Sequence, residues 1–116
     1  MILEDDEDIR NVMSIVLSEH HEVAAIDDIE NWMARILENS PELIFIDILL
    51  GVANGIEVAK WVKSNPYTSK IKVVLTTASV RKLSDNDGCD GYLEKPFEIS
   101  DLKNLANKLT SLKTFC

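Results

Sequence analysis

The sequence alternates short apolar runs with longer segments in which apolar residues recur every three or four positions. Short apolar runs bounded by polar residues are typical of buried strands, and the longer periodic segments are typical of helices with one buried face. The predicted order is β-α-β-α-β-α-β, followed by a weak segment and a final β-α. Such an alternation predicts an α/β fold with a parallel sheet and helices on both faces.

The predicted strands are all short and cover residues 1–3, 22–26, 43–47, 71–77 and 91–94. The first two helical stripes consist of apolar residues at helical spacing, namely Ile9, Val12, Met13, Val16 and Leu17, and then Ile29, Trp32, Met33, Ile36 and Leu37. Asp27 or Asp28 is placed to cap the second helix. Two further helices are predicted over residues 56–64 and 99–112, and the dipeptide Asn54-Gly55 indicates a turn before the third helix.

The composition limits the possible classes of protein. A chain of 116 residues that is 46% hydrophobic fits a single domain, residues 1–116. Its formal net charge is -8, which argues against contact with nucleic acid or with an anionic membrane surface. No apolar stretch is long enough to span a membrane. Cys89 and Cys116 lack metal-ligand spacing, so a reducing, cytoplasmic location is expected.

Polar side chains capable of chemistry stand at the ends of four predicted strands. They are the acidic cluster Glu4, Asp5 and Asp6 after the first strand, Asp47 after the run 43–46, Thr77 after the fourth strand and Lys95 after the fifth. Ligands of open parallel sheets bind just beyond the carboxyl ends of the strands. We therefore expect these side chains to converge at one place.

Each of these residues has an ordinary explanation when it is taken alone: a solvated helix start, a turn cap, a common strand residue or a solvated lysine. Together they describe phosphoryl transfer, in which the protein positions groups and balances charge. Asp47 would be the nucleophile, and Glu4 and Asp5 with Asp47 would hold Mg²⁺. Lys95 would pair with a phosphoryl oxygen and Thr77 would donate a hydrogen bond.

Nearly the whole chain resembles the receiver domain of two-component response regulators. The motifs that carry the resemblance are Ile2-Leu3-Glu4-Asp5-Asp6, Phe45-Ile46-Asp47-Ile48-Leu49-Leu50, Asn54-Gly55, Leu75-Thr76-Thr77-Ala78 and Gly91-Tyr92-Leu93-Glu94-Lys95-Pro96-Phe97. The resemblance implies a flavodoxin-like, doubly wound, five-stranded parallel sheet in the order 2-1-3-4-5. It also implies that Asp47 takes a phosphoryl group from the phosphohistidine of a histidine kinase, with Mg²⁺ required.

Carried over residue by residue, the family's acidic pair is Glu4 and Asp5, and the backbone carbonyl of Leu49 is a further metal ligand. Glu4 and Asp5 are preferred over Asp5 and Asp6 because the family pair directly follows the first strand. Tyr92 resembles the family's switch aromatic. The alternative for Tyr92 is a half-buried strand residue with a hydrated hydroxyl group.

The resemblance implies a signalling phosphoacceptor that assists its own phosphorylation and dephosphorylation, rather than an enzyme. Its partners would be a histidine kinase or a phosphotransfer protein and an unknown output partner, and a homodimer stays open. The main alternative is a phosphorylation-independent pseudo-receiver, an interaction domain that keeps the fold without the switch. A haloacid-dehalogenase-type phosphatase is a weaker alternative, because Leu49 stands where that class has a second aspartate.

Three departures from the family pattern stand out. Gly51 replaces the usual proline, which predicts a more mobile loop, and Asn54 stands where aspartate often precedes the glycine. The segment 77–95 is short, so the family's fourth helix is expected to be shortened or missing. Leu49 and Ser79 occupy positions that tune water attack on the phosphorylated form, and an apolar Leu49 predicts slow self-hydrolysis.

Overall fold

The computed structural model describes residues 1–78 and 89–110. Each strand in this part of the chain is followed by a helical segment, except β4, which is followed by residues outside the described ranges. The elements are β1 (Ile2–Leu3), α1 (Glu7–Leu17), β2 (Ala25–Ile26), a 3-10 turn (Ile29–Asn31), α2 (Trp32–Asn39), β3 (Leu43–Asp47), α3 (Gly55–Ser64), β4 (Lys72–Thr77), β5 (Gly91–Glu94) and α4 (Ile99–Leu109).

The five strands form one parallel sheet in the order β2-β1-β3-β4-β5, which confirms the predicted α/β fold and strand order. One hydrophobic cluster joins the sheet to α2 and α3, and a second joins the opposite face to α1 and α4. On the first face, the rings of Trp32 and Trp61 meet edge to face with centroids 5.2 Å apart. Residues 79–88, where the shortened fourth helix was expected, lie outside the described residues.

Some sequence predictions about burial and length were wrong. Val12, Met33 and Leu37 were expected to be buried, but 46 to 49% of each is exposed. Five apolar positions on one helix cover a wider arc than the sheet can bury, so the residues at the margin of the stripe face solvent. The second strand is shorter than predicted because its partner β1 offers only two residues for pairing. No described helix is both long and apolar enough to cross a membrane.

The starts of α1 and α3 are set by polar side chains. Asp6 caps α1, because its carboxylate accepts the N–H of Ile9 at 3.1 Å. Asn54 caps α3 by accepting the N–H of Ile56 at 2.8 Å, so the predicted Asn54-Gly55 turn is a helix N-terminus. Asp28 precedes the 3-10 turn as predicted, but its carboxylate binds Arg35 at 3.0 Å rather than the backbone.

An ion pair fastens α3 to the amino-terminal edge of the sheet. The Asp90 carboxylate accepts the N–H of Val73 at 2.8 Å and lies 2.8 Å from the Lys63 ammonium. Lys63 also donates to the carbonyl of Ile71 at 2.6 Å. Burial alone would raise the pKa of Asp90, but the hydrogen bonds from Lys63 and Val73 outweigh it, and the pKa lies below the usual 3.8.

We expect Asp90→Asn to lower the free energy of unfolding by about 1 kcal/mol at neutral pH. A carboxylate whose pKa is depressed by folding stabilises the fold at a pH above its usual pKa, and this contribution disappears as the pH falls through the folded-state value. Urea unfolding between pH 7 and pH 3 should therefore show the difference from wild type shrinking in acid. Asp27→Asn, at an exposed acid, is the control. A difference that stays constant with pH would contradict the assignment.

Candidate functional site

The strand register places two carboxylates next to each other at the carboxyl-terminal edge of the sheet. Leu3 pairs with Ile46 across β1 and β3, so the residues that follow them, Glu4 and Asp47, come side by side. Asp47 is the last residue of β3 and is only 8% exposed, and Glu4 is 2% exposed. Two buried carboxylates at this spacing repel each other and require a cationic partner.

Lys95, the residue directly after β5, is this cationic partner. Its ammonium lies 2.5 Å from Glu4 Oε1 and 2.9 Å from Asp47 Oδ2, so it bridges the two acids. The backbone N–H of Lys95 donates to the carbonyl of Thr77 at 2.7 Å. This bond fixes the backbone of Lys95 beside the end of β4. The peptide bond between Lys95 and Pro96 is cis.

The group formed by Glu4, Asp47 and Lys95 contains two acidic side chains and one basic side chain. Burial, with a further contribution from the Asp47 carboxylate, raises the pKa of Glu4 to about 7. Burial lowers the pKa of Lys95, but the hydrogen bonds that its ammonium donates to Glu4 and Asp47 outweigh it, so the pKa of Lys95 lies above its usual value. One ammonium is shared by two acidic side chains, so an additional cation at this site would favour the charged form of Glu4.

Asp5, Thr77 and Leu49 are the other residues that the sequence predicted for this site. Asp5 is exposed at the start of the segment that leads into α1, whereas Thr77 is the last residue of β4 and is partly buried. The N–H of Leu49 donates to Asp47 Oδ1 at 3.1 Å, and the Leu49 side chain is 77% exposed. Tyr92 is half-buried on β5 and packs against the cluster under α2 and α3. The structure thus brings together the side chains of Glu4, Asp47 and Lys95, and the exposed Asp5 follows Glu4 directly in the chain.

The donor atoms suit a hard cation such as Mg²⁺. Mg²⁺ prefers oxygen ligands and typically takes one or two carboxylates, several waters and a phosphate oxygen. Carboxylates from Glu4, Asp5 and Asp47 supply only oxygen. Within residues 1–78 and 89–110, no three acidic, histidine or cysteine side chains are gathered closely enough to hold a metal by themselves. The residues fit an open site completed by water and substrate rather than a closed protein cage.

Gly55 was missed as a site residue, because the sequence pattern indicated only a turn at this position. A Cβ atom on Gly55 would lie 2.3 Å from the Asp47 carbonyl oxygen and 2.8 Å from the Cα of Ile48. Its N–H donates to the carbonyl of Ile48 at 2.8 Å. The first turn of α3 therefore rests directly on the backbone that carries Asp47, and only glycine leaves room for that contact. A glycine directly after a helix-capping asparagine is the signal that could have identified it.

We expect Gly55→Ala to destabilise the fold by about 2 kcal/mol or more, because a methyl group cannot fit against a backbone carbonyl at that distance. Gly91→Ala is the matched control, since a Cβ there would meet its nearest atom, on Leu105, at an ordinary 3.4 Å. Chemical denaturation of the two variants measures the effect. Equal stabilities would show that α3 can move away from β3 at little cost.

Comparison with known proteins agrees with this geometry. The family model of the response regulator receiver domain matches residues 1–107. The chain therefore belongs to the response regulator receiver domain family, whose members are signalling proteins. The sequence predicted this membership, and the comparison confirms it.

Two curated relatives are 28% identical to this chain over the regions that match. Response regulator ArlR of Staphylococcus saprophyticus is 28% identical over 104 residues, which are 88% of this chain and 47% of that protein. The chain thus spans about half the length of ArlR. The chemotaxis protein CheY of Halobacterium salinarum is 28% identical over 103 residues, which are 84% of each chain.

Solved structures share the fold. The response regulator TrrA of Thermotoga maritima, solved in complex with Mg²⁺ and BeF, superposes with a TM-score of 0.82 at 25% identity, over 94% of this chain and 96% of that one. The receiver domain of NtrX from Brucella abortus superposes with a TM-score of 0.75 at 26% identity, over 90% and 92% of the two chains. The arrangement of strands and helices is therefore that of receiver domains.

Proposed function

We propose that Asp47 accepts a phosphoryl group from the phosphohistidine of a histidine kinase or phosphotransfer protein. The observation that carries this proposal is the Lys95 ammonium held between the Glu4 and Asp47 carboxylates at the carboxyl edge of the sheet. This edge is where open α/β sheets bind ligands. A buried carboxylate beside a fixed ammonium is both a nucleophile and the start of a site for a phosphate-like group.

In this proposal an Asp47 oxygen attacks the phosphorus atom while the bond from phosphorus to the imidazole nitrogen breaks, and the imidazole leaves with the bonding electron pair. The N–H of Leu49 holds Asp47 Oδ1 at 3.1 Å and Lys95 holds Oδ2 at 2.9 Å, so both oxygens are oriented before substrate arrives. Lys95 would then pair with a phosphoryl oxygen, and the Thr77 hydroxyl would donate to another. Such positioning is the main task of a protein in phosphoryl transfer.

Glu4, Asp5, Asp47 and the carbonyl of Leu49 are the residues that would hold Mg²⁺. When bound, the ion would neutralise negative charge on the transferred phosphoryl oxygens. The oxygen-only donor set supports this assignment, and so does the Mg²⁺ and BeF complex of the similar TrrA. The excess negative charge of the Glu4, Asp47 and Lys95 group gives the physical reason for a cation.

Phosphorylation would add about -1.5 to -2 charge next to Lys95 and so bias a two-state element of the fold. We infer that Thr77 and Tyr92 respond and alter the surface of β4, β5 and α4, where an output partner binds. Residues 1–116 would act as a single cytoplasmic receiver domain, without contacting nucleic acid or membrane. A homodimer stays open as the form of the output.

Incubation with acetyl phosphate and Mg²⁺ should add one phosphoryl group to the wild-type protein and none to Asp47→Asn, as measured by intact-protein mass spectrometry. Beryllofluoride with Mg²⁺ should perturb the NMR signals of residues around Asp47 in the wild type only. A pseudo-receiver would respond to neither reagent. Unmodified wild-type protein after both treatments would therefore favour that alternative.

The phosphorylated form should hydrolyse slowly, because the exposed apolar side chain of Leu49 cannot orient a water molecule toward the phosphoryl group. Leu49→Asn should shorten the lifetime, since an amide can bind that water. Val52→Asn, which changes the other exposed apolar residue of this loop, should leave the lifetime close to that of wild type. The decay of the phosphorylated mass after removal of acetyl phosphate measures all three. A wild-type lifetime of only seconds would contradict the prediction.

A further inference from the structure

The segment between β3 and α3 is a small hairpin. Leu49 and Asn54 form an antiparallel bridge, and the N–H of Leu50 donates to the carbonyl of Ala53 at 3.3 Å. Gly51 and Val52 are left as the two residues at its tip. The expected extra mobility of this loop stays a prediction, but its described conformation is a defined turn.

Glycine is required at the first position of that tip. Gly51 has a φ of +79°, whereas the φ of Val52 is not positive. A two-residue hairpin with positive φ only at its first central residue is of the II′ type, which takes glycine there. Proline is locked near a φ of -65° and cannot adopt this conformation. A proline at this position could therefore not adopt the conformation that Gly51 has here.

The bare face of Gly51 lies against Asp5. A Cβ on Gly51 would stand 3.3 Å from Asp5 Oδ2, which is tighter than an ordinary contact, and 3.9 Å from the Asp5 Cγ. The same hairpin carries the carbonyl and the N–H of Leu49, and that N–H binds Asp47. Gly51 thus sets how closely the Asp5 carboxylate approaches the loop that would supply another oxygen ligand.

We propose that Gly51 is a positioning residue for Asp5, and that its lack of a side chain keeps the Asp5 carboxylate within reach of a divalent cation held by Asp47. This proposal rests on the cation site of the proposed function. A side chain at position 51 would act in two ways, since it would strain the turn and crowd the carboxylate. Crowding would act on Asp5 alone, whereas strain in the turn would also act on Leu49, whose N–H binds Asp47.

The test measures Mg²⁺ binding to the unphosphorylated protein by NMR titration of the amide signals of residues 4–6 and 47–51. Gly51→Ala should weaken Mg²⁺ binding about tenfold, the lower end of what loss of a ligand-orienting partner costs. Gly91→Ala, the same change at a site away from the acids, should bind like wild type. The side-chain carboxyl ¹³C signal of Asp5 should also shift in Gly51→Ala before any Mg²⁺ is added.

A second variant covers the case in which Gly51→Ala does not fold. D-alanine at position 51, introduced by chemical ligation of the full chain, accepts a positive φ and directs its methyl group away from Asp5, so it should bind Mg²⁺ like wild type. Wild-type affinity in Gly51→Ala, or equal weakening by D-alanine, would overturn the role of Gly51 and leave the proposed function standing. Absence of Mg²⁺ binding by the wild type itself would instead overturn the proposed cation site, and the inference with it.

Discussion

An ammonium group held between two buried carboxylates is the interaction on which the site depends. Glu4, Asp47 and Lys95 come from the ends of β1, β3 and β5, and they meet only when the intervening strands are paired in register. Burying either acid without the lysine would leave an uncompensated charge, which is costly inside a protein. The arrangement is therefore both a condition for a stable sheet edge and the chemical centre of the molecule.

The charge of this group explains why a site of this kind is useful for signalling. Two acidic side chains share one ammonium in a largely buried place, and burial, with a further contribution from Asp47, raises the pKa of Glu4. Under the proposed function, such a site would bind a cation and then accept an anionic group next to Lys95. Each step changes the local charge balance, which is the physical basis for a switch.

Much of the fold could be predicted from the sequence, because strand runs and helical stripes depend on local periodicity. The strand order came from the resemblance to receiver domains. Asp47 and Lys95 were also predictable, since both close strand-like runs. The burial of Glu4 was not apparent from an acidic cluster that reads equally well as a solvated helix start.

Other features depend on three-dimensional contacts that no local pattern contains. The exposure of Met33 and Leu37 follows from how much of α2 the sheet covers. The role of Gly55 follows from the approach of a helix to the backbone of another strand. The effect of Gly51 on Asp5 follows from a turn type that a single glycine does not identify. Each of these features depends on residues that are distant in the sequence, or on backbone geometry that short motifs do not determine.

The position of α3 has a mechanical consequence. The first residue of α3, Gly55, packs against the backbone carbonyl of Asp47. Near the other end of α3, Lys63 forms an ion pair with Asp90, the residue before β5. A helix of this length is about 15 Å long and stiff along its axis. It therefore extends along the sheet from the carboxyl-terminal edge to the amino-terminal edge, so that a small displacement of the Asp47 backbone would be transmitted to the opposite edge of the sheet.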